Sequence, residues 1–231
     1  MGEPVSIFEI LGPIMIGPSS SHTAGASRIG AIARQLLAEK PVKAVITLYN
    51  SFAKTHRGHG TDRAIIGGIL GFAPDDVRIR QSPEIASREG LVWEFKFQGD
   101  ATRFHSNTAR VRLEGASGAS VELVGVSLGG GRIRVQEIGG FPVDFGALTY
   151  TIVIIAQDIP GSIKYVSGAI AERGVNIARM TVTRSEQMAN MVIETDQLVD
   201  AETMEEIQAL PWVRFARVVE PLLDSSSRYE K

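Results

Sequence analysis

Two rhythms of apolar and polar positions meet near Gly146. After it the pattern is compact. Tyr150–Ala156 is a nearly continuous run rich in β-branched residues, as expected for a buried strand. Asp158-Ile159-Pro160-Gly161 breaks that run, and Ile163, Val166, Ile170 and Ala171 then recur at helical spacing up to Gly174. Strands are predicted over 177–184 and 189–195 around a turn at 185–188. A second helix follows over 201–210, with Met204, Ile207 and Leu210 on one face, and then a last strand over 212–219. This β-α-β-β-α-β order is the ferredoxin-like split arrangement. A polar tail follows from residue 222.

Before Gly146 the pattern is looser and rich in glycine. Ile29, Ile32, Ala33, Leu36 and Leu37 line one face of a helix predicted over 27–40, which Pro41 closes. A strand over 42–49 and a helix over 64–70 come next, with 51–62 between them as a loop. The Gly67-Gly68 pair inside that helix implies close approach of another backbone, because helix propensity alone disfavours it. Leu91, Trp93, Phe95 and Phe97 alternate with Val92, Glu94 and Lys96, and Ala109, Val111 and Leu113 with Arg110, Arg112 and Glu114, which predicts half-buried strands. Val121–Ser127 and Ile133–Ile138 flank Gly129-Gly130-Gly131 as a strand pair around a turn. The fold class is therefore α+β, with mixed helices and sheet over 1–146, a ferredoxin-like unit over 147–221 and a tail over 222–231.

Composition narrows the chemistry. Twenty-four basic and 26 acidic residues are interspersed to a net charge of −2, so no basic field points to nucleic acid. No apolar run reaches the ~20 residues of a membrane span, and Gly12-Pro13 interrupts the N-terminal apolar stretch, so the expected setting is cytoplasmic, without a membrane. The absence of cysteine excludes disulfides, a thiolate nucleophile and any cluster ligated by cysteines of this chain. Four histidines remain: His22, His56, His59 and His105.

Three polar segments stand out. Ser19, Ser20, Ser21, His22 and Thr23 gather at the mouth of the first helix, where unpaired N–H groups favour an anion. One helix cap needs one such residue, and five stand in a row. The second segment holds His59 between glycines, followed by Thr61 and Asp62 as candidate caps of the next helix. An imidazole so placed is open to close approach and suited to acid–base work near neutral pH. The third is His105-Ser106-Asn107-Thr108.

Gly17-Pro18-Ser19-Ser20-Ser21-His22-Thr23 resembles the signature of the bacterial iron–sulfur serine dehydratases, and the preceding Ile7-Phe8-Glu9-Ile10-Leu11-Gly12-Pro13 looks like their separate β-chain form. Thr55-His56-Arg57-Gly58-His59-Gly60-Thr61-Asp62 is similar to their second motif. The third segment resembles their His-Pro-Asn-Thr, with Ser106 in place of proline. The last third of the chain, with Asp158-x-Pro160-Gly161 and Gly174-Val175-Asn176-Ile177, resembles the ACT domain, which senses small molecules and pairs with its own kind.

The resemblance implies loss of water from L-serine to give pyruvate and ammonia. A [4Fe–4S] cluster would be held by cysteines of an alpha subunit, and this chain would be active only with that partner. It implies substrate binding by Ser19, Ser20, Ser21, His22 and Thr23, and proton transfer by His59 or by a base on the partner. It implies supporting roles for Thr61, Asp62, His105 and Asn107. Asp158, Pro160, Gly161 and Asn176 are the candidate effector-binding residues, with an amino acid or potassium as ligand and self-association through ACT domains.

Two other readings fit the same residues. One is a non-catalytic amino-acid sensor regulating another enzyme. The other is a small metal-dependent hydrolase using His22, His56 and His59, with Asp62 as the nearby acid.

Overall fold

The computed structural model describes residues 13–185 and 187–222. The Ile7–Gly12 part of the N-terminal pattern and the tail from residue 223 lie outside the described residues. The chain divides into two compact units, residues 13–136 and Glu137–Leu222.

In the first unit a wide, π-type turn at Ser20–Gly25 runs into helix α1, Ala26–Leu37. Strand β1 is Pro41–Tyr49, and helices α2, Asn50–His59, and α3, Thr61–Ile69, follow with Gly60 alone between them. A 3-10 turn at Val77–Gln81 leads to α4, Ser82–Arg88. The strands β2 (Val92–Gln98), β3 (Thr108–Gly115), β4 (Ser120–Gly129) and β5 (Arg132–Ile138) complete a sheet of order β2-β1-β3-β4-β5, and β6 (Phe141–Phe145) belongs to the second unit. Strand β1 is parallel to β2 and antiparallel to β3, and the boundary between the units passes through β5.

The core lies between the sheet and α1 with α3. Ile29, Ile32, Leu36, Ile65, Ile66 and Ile69 are fully or almost fully buried, as are Ile46, Val111, Leu113 and Leu123 from the strands. Glycine sets the spacing. A Cβ on Gly68 would overlap the Ser27 carbonyl, and one on Gly30 would overlap the Ile65 carbonyl. The close approach expected at Gly67-Gly68 is therefore the crossing of α1 and α3, in which each helix offers a glycine to the other's backbone. Gly125 does the same for the sheet: a Cβ there would stand 2.9 Å from Ile29.

Three departures from the predicted pattern have physical causes. Residues 51–62 are not a loop; most of them belong to α2, of which only Phe52 and Ala53 are buried, so its helical periodicity is faint. Residues 77–88, with no predicted element, form the 3-10 turn and α4. The half-buried face expected of β2 is only partly covered, because β2 is an edge strand; Phe97 is 49% exposed and stacks on His56.

In the second unit β7 (Tyr150–Gln157), α5 (Ser162–Glu172), β8 (Ile177–Ser185), β9 (Met188–Thr195), α6 (Ala201–Gln208) and β10 (Val213–Val219) follow one another in the predicted order. The sheet order is β10-β7-β9-β8, all antiparallel. Ile152, Ile154, Val166, Ile170, Met191, Ile193 and Ile207 are among its core residues. The inward face of α5 is carried by Val166 and Ile170; Ile163 and Ala171, expected on that face, are exposed. Asp200 caps α6, accepting from the Thr203 N–H at 2.8 Å.

Candidate functional site

Ser19 opens the site. It caps the wide turn, its hydroxyl accepting from the His22 backbone N–H at 3.3 Å and meeting the same residue's Nδ1 at 3.3 Å. Gly17, at φ 155°, lets the chain fold back on Thr23, whose side chain fills the space of a Cβ there. The turn buries His22 and Thr23 and leaves the three serines half-buried. A turn of this type carries one residue more per repeat than an α-helix, and such turns gather at functional sites.

His22 is where the first two motifs meet. Its Nε2 lies 3.2 Å from the Ser51 hydroxyl at the start of α2, and its ring packs edge-on against Phe52 at 5.1 Å. The His59 ring, from the last residue of α2, stands 4.6 Å away. Thr23 Oγ1 donates to the His59 carbonyl at 3.4 Å. Burial lowers the His22 pKa below its ordinary value, the His59 imidazole lowers it further, and a hydrogen bond at Ser51 partly offsets both. His22 is therefore held neutral, with one ring nitrogen donating and the other accepting. His59 is different: its Nδ1 is buried and has no hydrogen-bond partner among the described residues.

The third motif acts through its backbone. The Ser106 carbonyl accepts from the N–H of Ser51 at 2.9 Å and of Phe52 at 3.4 Å, satisfying the start of α2 that no side chain caps. His105 is exposed; its Nδ1 accepts from Asn107 N–H at 3.2 Å, and the Asn107 carbonyl accepts from Ser127 N–H at 2.9 Å. Asn50, at φ 48°, ties the same loop down: its amide donates to the Ala101 and Phe104 carbonyls at 3.0 and 2.9 Å and accepts from Ala101 N–H at 2.8 Å.

Neither Thr61 nor Asp62 makes the cap expected of it. Gly60, at φ 67°, holds the cap position of α3 without a side-chain bond. Among the described residues Thr61 Oγ1 is buried without a partner, and Asp62 accepts only from the adjacent Arg63 N–H at 2.9 Å. His56 turns away, its Nδ1 2.8 Å from the Ala53 carbonyl and its ring on Phe97. Among the described residues no group of three His, Asp or Glu stands together as metal ligands, so the hydrolase reading has no centre.

Within the chain, the effector candidates Asp158 and Asn176 stand at opposite ends of β8. Asp158 pairs with Arg184 at 3.2 Å, close to the β8–β9 turn, and Gly161 at φ 88° opens α5. Asn176 precedes the other end of β8 and donates to Asp196 at 2.8 Å. The length of β8, about 3.3 Å per residue, separates them.

Ser51 and Asn50 are site residues that motif reading missed. Their only signal is the position of two short polar residues directly after a strand.

A compact α+β unit bearing clustered Ser, His and Thr motifs, followed by a ferredoxin-like unit, matches two known families. The serine dehydratase beta chain family matches residues 6–138, and the ACT domain family matches residues 150–211. The chain belongs to the serine dehydratase beta chain family. It is 42% identical over 208 residues to the probable L-serine dehydratase beta chain of Bacillus subtilis, covering 89% of this chain and 94% of that one. It is 37% identical over 193 residues to the L-serine dehydratase beta chain of Peptoniphilus asaccharolyticus, covering 84% and 86%. L-serine dehydratase 2 of Escherichia coli is 33% identical over 157 residues, which is 58% of this chain and only 34% of that longer one.

Proposed function

We propose that this chain is the beta subunit of a two-chain L-serine ammonia-lyase. L-serine loses its α-proton and its hydroxyl as water; the resulting aminoacrylate becomes an imine, which water hydrolyses to pyruvate and ammonia. Family membership and two relatives named as beta chains support the reading, as does the site. The observation that carries it is the meeting of the two histidine motifs, with the His22 and His59 rings 4.6 Å apart.

The poor leaving group calls for a Lewis acid, which the reading assigns to a [4Fe–4S] cluster on a cysteine-bearing alpha subunit. This chain has no thiolate to hold such a cluster. Its own residues work at the substrate's other bonds. Proton transfer falls to His59, whose buried Nδ1 has no hydrogen-bond partner among the described residues, or to a base on the partner chain. His22 stays neutral, and its bonds to Ser19 and Ser51 fix the ring it presents. Ser20 and Ser21, whose hydroxyls bond no described residue, face the substrate, while Ser19 and Thr23 shape the turn. Thr61, Asp62, His105 and Asn107 support this site. The ACT part, 147–221, self-associates and takes an amino acid or potassium near Asp158–Gly161.

Capture of the chain with its native partner under anaerobic conditions, followed by pyruvate release from L-serine, tests the reading. Pyruvate formation that disappears in air is expected. No pyruvate from a preparation that retains partner and iron points instead to an amino-acid sensor.

A further inference from the structure

Beside His59 lies a cavity of about 240 Å³ whose charged walls all have one sign. Arg57 from the last turn of α2, Arg63 from the first turn of α3 and Arg80 from the 3-10 turn line it, together with Gly17 and Gly60. Among the described residues no carboxylate lines it and none of the three guanidiniums takes part in an ion pair. Other cations of this unit stand in ion pairs, among them Lys40 with Glu89, Lys43 with Glu114, Lys54 with Asp100, Arg78 with Asp76 and Arg110 with Glu122. Three unmatched guanidiniums around one small cavity repel one another, and a bound anion removes that repulsion.

The neighbouring serine turn supplies only neutral donors. A carboxylate taken out of bulk water needs charge as well as hydrogen bonds, and a guanidinium fork provides both in the geometry of a carboxylate. The cavity wall includes His59 itself and Gly17-Pro18, which lead into the serine turn, so an anion held there keeps its α-carbon next to the imidazole.

We infer that Arg57, Arg63 and Arg80 form the carboxylate-binding side of the amino-acid site, the serine hydroxyls serving the substrate's other polar groups. This rests on the dehydratase reading, and the test separates the two. In the anaerobic two-chain complex, KM and kcat for L-serine are measured beside equilibrium dialysis of labelled L-serine, for the wild type and for R63Q/R80Q. Loss of charge-assisted hydrogen bonds of this kind predicts dissociation and Michaelis constants raised about tenfold to a hundredfold, with most of the loss in kcat/KM falling on KM. R63K/R80K, which keeps the charge, recovers part of the affinity. Inorganic sulfate competes with L-serine in the wild type and much less in R63Q/R80Q. Unchanged serine affinity in R63Q/R80Q, with wild-type pyruvate production, overturns the arginine assignment and leaves the dehydratase standing. Arginine-dependent serine binding without pyruvate does the reverse. A wild-type complex that binds no serine removes both.

Discussion

The rings of His22 and His59 lie 4.6 Å apart, tilted by 50°, although 36 residues separate them in the chain. Burial lowers the His22 pKa and the neighbouring His59 imidazole lowers it further. The contact thus favours a neutral His22, whose ring is fixed by Ser19 and Ser51.

Replacing His59 with Ala is expected to reduce turnover of the assembled enzyme by about a hundredfold or more, the range of a lost general base, without loss of assembly. The same substitution removes the neighbouring imidazole that lowers the His22 pKa, so the His22 titration should move upward. Carbon-bound imidazole proton shifts followed against pH measure this. A His22 titration unmoved by H59A contradicts the coupling.

The pH dependence of stability follows from the same shift. The His22 pKa is lower in the folded chain than in the unfolded one. Between those two values the unfolded chain binds more protons, so stability falls as pH falls. The His22 contribution is fully present above about pH 6.5 and is lost as pH drops through the folded value. Urea unfolding at a series of pH values should show that slope, and H22Q should lack it.

Ser51→Ala removes the hydroxyl at 3.2 Å from His22 Nε2 and leaves the Ser51 N–H on Ser106. Turnover should fall roughly threefold to thirtyfold, the effect of about one lost hydrogen bond, while the melting temperature changes little. Thr at this position should restore much of the activity. A melting temperature that falls as steeply as activity would reduce Ser51 to a helix-start residue.

Two helical glycines should respond in opposite directions to alanine. Gly68→Ala forces a methyl group into the Ser27 carbonyl and should destabilise by roughly 1–3 kcal/mol or more. Gly168, inside α5, has open space where a Cβ would stand, so Gly168→Ala should stabilise by roughly 0.5–1 kcal/mol. Calorimetric melting of both variants checks the pair.

The legibility of the sequence followed the range of the interactions. The β-α-β-β-α-β order was readable because each element carries its own period, and Val166 and Ile170 repeat where a helix must bury them. Gly67-Gly68 announced a backbone contact but not its partner, Ser27. The α2 helix was hidden because its start is satisfied by the Ser106 carbonyl, a group 55 residues further on that leaves no local mark. The motifs named His22 and His59; only the fold brought Ser51 between Ser19 and the third motif. Asn176 was grouped with Asp158 by their likeness to one family pattern, and the direction of β8 parts them.

The row of three serines reads as redundancy, yet the wide turn at Ser20–Gly25 makes it a matter of phase. Each residue along an ordinary helix turns the next side chain by about 100°. Removing any one serine shifts the phase of the imidazole that follows by about 100° relative to Ser51 and His59. The spacing from Ser19 to His22 is thus part of the site, apart from what each hydroxyl bonds.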